Sequence, residues 1–233
     1  MPIRLWGVDP MFPDRQDWDV LYDITEKYEL EIIRNWYPSK NESPELPYKS
    51  SVIEKILPEK GLKEITTTIF TPKGPLENVF CAPFTGAPGR VKKYFIEDVD
   101  DAKKWLSIPD AKTPEVNSYF ELEKKTGNRA MLMVNIDEAM YMVQRLMGSE
   151  IFGYWLYDER ELLKEMIDRA FNKLEKLVKH YLSYKIGDVY GWVGPELCIP
   201  PLASVKDFYE FVVEYDRKII NLVHDSKKLT WIH

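Results

Sequence analysis

Acidic residues recur in this chain directly after short apolar runs. Asp9 follows Ile3–Val8, Asp137 and Glu138 follow Ala130–Ile136, and Glu196 follows Ile186–Val193. Cys198 lies two residues beyond Glu196, and His233 ends the run Leu229–His233. A carboxylate carried into apolar surroundings has its pKa raised and can serve as a general acid or base or orient a substrate. On that ground Glu196, Asp137 and Glu138 are the candidate catalytic groups, with Asp9 and Cys198 as candidate substrate contacts. Each has a structural alternative. Glu196 could cap the turn after it, one of Asp137 and Glu138 could cap a helix starting at Ala139, and Asp9 could close a turn. A free cysteine is often a small apolar filler. Arg34 and Arg90 could hold acidic substrate groups through their planar forks, although surface ion pairs account for such arginines more often.

The elements that must position these groups follow from periodicity. Ile186–Val193 is apolar, β-branched and aromatic, as a buried strand should be. Ser204 with Asp207 three residues on approximates a capping box. Phe208, Phe211, Val212, Tyr215, Ile219, Leu222 and Val223 then share one helical face. Leu229–His233 returns as a strand. In such a strand–helix–strand unit the strands are parallel and ligands gather at their carboxyl ends.

The same pattern predicts strands over Ile3–Val8, Leu30–Trp36 and Ala130–Ile136, with helices over 17–28, 98–106, 114–125, 139–147 and 158–184. Lys40–Lys49 reads as a loop and Ser50–Leu57 as a short helix stopped by Pro58 and Gly61. Lys63–Phe70 and Leu76–Phe84, joined by Thr71-Pro72-Lys73-Gly74-Pro75, form a hairpin that interrupts the alternation. Five parallel-type strands alternating with helices specify an α/β domain over 1–233.

Composition narrows the classes. A net charge of −6 argues against a general nucleic-acid surface. No apolar run approaches the roughly 20 residues of a membrane helix, and MPIRLWGVDP lacks the regions of a signal peptide. Two cysteines give no disulfide framework and suit a reducing cytoplasm.

GDVYGWVGPELCIPPL, the ASVKDFYEFVVEYDRKIINLVHD helix and the terminal TWIH resemble the uroporphyrinogen decarboxylase superfamily, as do TPKGPL and NIDEAMYMVQRLMGSE. This superfamily holds the porphyrinogen decarboxylases and the cobalamin- or coenzyme M-dependent methyltransferases. The resemblance implies a (β/α)8 TIM barrel, here with about five of the eight strands, and an insertion over 62–95 covering the barrel mouth. Such a chain is expected to be the front of a longer protein, or else to close with a partner.

The methyltransferase branch implies zinc at His233, which lowers the pKa of a thiol, and a corrinoid carried by a partner protein. Asn35, Trp36 and Tyr141 stand near the substrate positions of the family. The porphyrinogen decarboxylases carry an Arg-Gln-Ala-Gly-Arg motif after the first strand, whereas VDPMFPDRQDW offers Arg15-Gln16 alone. Zinc-assisted methyl transfer between a corrinoid protein and a thiol is therefore the first expectation. Decarboxylation of uroporphyrinogen, which needs no cofactor, is the second, and a non-catalytic partner subunit the third. The expected partners are a small-molecule substrate, a corrinoid protein and a second copy of the chain, with neither nucleic acid nor membrane.

Overall fold

A computed structural model describes residue 5 and residues 7–233. Of the strand expected over Ile3–Val8, residues 3, 4 and 6 lie outside the described set. Helix α1 (Asp19–Lys27) leads into strand β1 (Ile33–Trp36). A long antiparallel excursion follows: β2 (Lys49–Leu57), β3 (Leu62–Thr71), β4 (Gly74–Pro83) and β5 (Arg90–Lys93). Helices α2 (Val99–Leu106) and α3 (Asn117–Thr126) precede β6 (Met131–Asn135). Then come α4 (Ala139–Trp155), α5 (Arg160–Ser183), β7 (Val189–Trp192), α6 (Val205–Phe208), α7 (Glu214–Asp225) and β8 (Leu229–Ile232).

The fold is mixed α/β with two sheets. Strands β1, β6, β7 and β8 lie side by side in chain order, every neighbouring pair parallel. The described residues do not close this sheet into a barrel. Register and alternation divide its faces. Trp36, Val134 and Tyr190 pair across β1, β6 and β7 and face the helices, as Trp192 does on β7. Trp36 packs edge-on against Tyr119 of α3 and Tyr181 of α5, at 5.6 and 5.5 Å between ring centroids. The other face carries Asn35, Asn135, Gly191 and Trp231.

The antiparallel sheet is larger than the expected hairpin and begins earlier. Lys49–Leu57 pairs along its whole length with β3, so residues 50–57 are a strand and not a helix. The physical reason lies in Ser51-Val52-Ile53-Glu54-Lys55-Ile56, whose β-branched residues favour extended backbone once a partner strand is available. Pro58 and Gly61, which could stop a helix, instead form the β2–β3 turn, with Gly61 left-handed at φ 63°.

Capping follows the sequence at α6. Ser204 and Asp207 form the full capping box of α6, and the helix runs through a π-helical turn at Tyr209–Val213 into α7. Asp98 caps α2. Helix α3 starts three residues later than expected because Glu42, from the loop after β1, accepts hydrogen bonds from the Ser118 N–H and hydroxyl. Helix α4 does not stop at Gly148. That residue breaks the helix locally at φ 75° and ψ 169°, and the helix resumes to Trp155.

Candidate active site at the strand ends

The carboxyl ends of β1 and β6, with β7 and β8 beside them, border a cavity of about 640 Å³. The strands bring Asn35, Asn135, Gly191 and Trp231 to one wall, because these residues share the face turned away from the helical core. Gly191 keeps this wall low: a Cβ there would lie 2.5 Å from the Met133 sulfur. Tyr37 and Asp137 extend the wall past the strand ends, and Tyr141 and Arg145 come from the first turns of α4. Lys173 of α5 completes the rim.

Electrostatics follow from these placements. Asp137 accepts hydrogen bonds of 3.2 and 2.9 Å from Arg145, which also stands 5.6 Å over the Tyr141 ring. Burial raises the Tyr37 hydroxyl above the usual phenol range, and the Asp137 charge adds to this. Burial pushes the Lys173 ammonium below its ordinary pKa, helped by neighbouring Arg169 and opposed by Asp110. The cavity thus offers two amides, phenols, an oriented ion pair and a partly desolvated amine.

The expected site residues divide sharply. Asn35, Asp137 and Tyr141 line the cavity. His233 continues the β8 ladder through its N–H to the Trp192 carbonyl (3.1 Å), and its ring stacks on Trp231 at 5.8 Å and 10°. The remaining candidates are engaged elsewhere. Trp36, one residue from Asn35, points to the opposite face, where its indole N–H donates to Ser118 Oγ at 3.0 Å. Asp9 holds Arg34 through bonds of 2.6 and 2.7 Å, and Arg34 also donates to Thr126. Glu196 accepts the Gly194 N–H at 2.9 Å and so caps its own turn.

Glu138 is fully buried and caps α4, accepting the N–H groups of Met140 (2.9 Å) and Tyr141 (2.6 Å). Burial, reinforced by the charge of Asp216, pushes its carboxyl up to about 8 against those two donors. Cys198 is also fully buried, and desolvation lifts its thiol to about 12, where thiolate chemistry is suppressed. Near Glu138, Asp216 has its carboxyl raised to about 6 by burial, moderated by the Trp192 indole N–H.

Periodicity did not single out Arg145, Lys173, Tyr37 or Trp231. For Arg145 a signal existed: it lies one helical turn beyond Tyr141, on the same face of α4. Trp231 is two residues before His233 and therefore on its face of the strand.

No protein-family model, curated protein or solved structure matches this chain. Among the described residues no group of three or more His, Cys, Asp or Glu side chains could hold a metal ion. His233 offers one imidazole, and buried Cys198 is occupied within the core, so the described residues do not complete a zinc site. No helix among them is long and apolar enough to cross a membrane.

Proposed function

We propose that the chain belongs to an enzyme of the uroporphyrinogen decarboxylase type, with a (β/α)8 barrel architecture. Its small-molecule substrate lies across the carboxyl ends of β1, β6 and β7, and the reaction is methyl transfer between a corrinoid protein and a thiol. The observation that carries this reading is the order of the parallel sheet. Strands 33–36, 131–135, 189–192 and 229–232 are neighbours in sequence order, as in a barrel wall. Their carboxyl ends border a cavity containing Asn35, Asp137, Tyr141 and Arg145.

In this reading the amides of Asn35 and Asn135 bind polar substrate atoms. The Asp137–Arg145 pair orients them, and the stacked Trp231 and His233 rings give a flat wall beside the cavity. The roles assigned to this chain are binding, orientation and proton handling.

A second reading, decarboxylation of a carboxylated tetrapyrrole, is favoured by one observation. Arg145 and Lys173 face the cavity while Glu138, Glu196 and Asp9 are bound into caps and an ion pair, so the rim is less acidic than the sequence suggests. Anaerobic assay of the purified chain with a methylated corrinoid protein and thiols, and separately with uroporphyrinogen, distinguishes the two. Asp137→Asn and Tyr141→Phe should each lower whichever activity is present. Turnover unaffected by both substitutions would remove the strand-end site from either account.

A further inference from the structure

Beside the strand-end site a second cavity, of about 470 Å³, lies between the antiparallel sheet and α5. Ile69 of β3, Phe95, Trp105 of α2, Leu146 of α4 and Leu177 of α5 make its lining mainly apolar. Four cations also line it, Lys112, Arg145, Lys173 and Lys176, against one acid, Asp110. Arg145 is paired with Asp137, and Asp110 faces Arg169 at 3.5 Å. Lys112 and Lys176, both exposed at its edge, and half-buried Lys173 make no ion pair with any described residue, so the mouth of an apolar hollow carries three cations, tempered by Asp110 alone, in a chain of net charge −6.

Mostly apolar cavities of this size with a few convergent polar groups are typical of small-molecule sites. We propose that this cavity binds an aliphatic carboxylate of medium chain length. Its carboxylate sits among Lys112, Lys173 and Lys176, and its chain runs along Ile69, Trp105 and Leu146. The Lys173 ammonium stands 5.3 Å from the centre of the Trp105 ring. Burial and Arg169 disfavour its charge, and an incoming anion relieves that penalty. The inference goes beyond the reading of the neighbouring site, because Lys112, Lys176 and Ile69 line this cavity and not the other.

Titration calorimetry of the full chain with monomeric sodium decanoate tests it. Saturable one-to-one binding is expected, with decanol at least about tenfold weaker, the loss of one charge-assisted contact, and acetate not bound. Lys112→Met combined with Lys176→Met should weaken decanoate about tenfold on the same grounds, and Ile69→Trp should abolish binding by filling the hollow. Circular dichroism establishes that each variant is folded; if Ile69→Trp is not, the double lysine variant decides alone. Decanol binding as tightly as decanoate, uptake without saturation, or full affinity in the double lysine variant overturns the proposal.

Discussion

The Trp192 indole N–H donates a 2.9 Å hydrogen bond to Oδ2 of Asp216, tying the last residue of β7 to the helix that returns the chain to β8. Both partners are buried. A carboxylate in this position keeps one strong hydrogen bond but loses its water, and desolvation prevails, raising its pKa from 3.8 to about 6.

The consequence for stability has a definite sign. Well below its unfolded pKa of 3.8 Asp216 is protonated in folded and unfolded chains alike, and its contribution to stability is fully present. From about pH 4 to 6 the unfolded chain ionises first, so this group's contribution is lost as pH rises. Asp216→Asn keeps an acceptor for the indole and removes the charge. Urea unfolding should show the variant more stable at pH 7 by about 1–2 kcal/mol, with a flatter profile between pH 4 and 6. A variant less stable than the parent at pH 7 would show that the ionised carboxylate is favourable here.

Glu42 behaves in the opposite way. Burial works against its charge, but hydrogen bonds from Ser118 and Ser39 outweigh it and hold the carboxyl down at about 2. Its contribution is therefore complete above about pH 4.5 and is lost as pH falls toward 2. Glu42→Gln should cost about 2 kcal/mol at neutral pH, as expected for charge-assisted bonds at a helix start, and should shrink the acid-side loss of stability. An unchanged acid limb in the variant would place that loss elsewhere.

These buried carboxylates show where sequence ceased to be informative. Short apolar runs marked β6 and β7, and the Ser204–Asp207 box marked a helix start, because each depends on neighbours in the chain. Whether an acid after a strand faces a cavity depends on distant partners. Asp137 and Glu138 are adjacent, yet one reaches Arg145 at the rim while the other is sealed under α4. Trp36 left the site for a local reason, since one residue's shift along a strand reverses the face. Residues 50–57 misled because their strand character is realised by pairing with β3.

Gly148 makes its break in α4 at φ 75°, a conformation that side chains disfavour. A Cβ there would also lie 2.5 Å from Cζ of Tyr94. Gly148→Ala should therefore lower stability by about 2–4 kcal/mol, combining backbone strain with overpacking. Adding Tyr94→Leu should recover the steric part and leave the backbone part. If Gly148→Ala unfolds at the parent's Tm, the break in α4 is not present in solution.

Strand β2 is one edge of the antiparallel sheet, and it exposes Val52, Ile53 and Ile56 at 61%, 65% and 55%. A nine-residue edge strand with apolar side chains and unpaired backbone groups is a template for pairing with another chain. Charge along this strand comes from Lys49, Lys55 and Glu54, the last in an ion pair with Lys63 at 3.0 Å. It leaves Ile53 at the centre of the strand without a charged neighbour directly across on β3, where it faces Thr66. Ile53→Lys is expected to suppress concentration-dependent association, read by light scattering. Because Ile53 is exposed, the same variant should change folding stability by no more than about 0.5 kcal/mol. Equal association of parent and variant would mean that this edge does not govern self-contact.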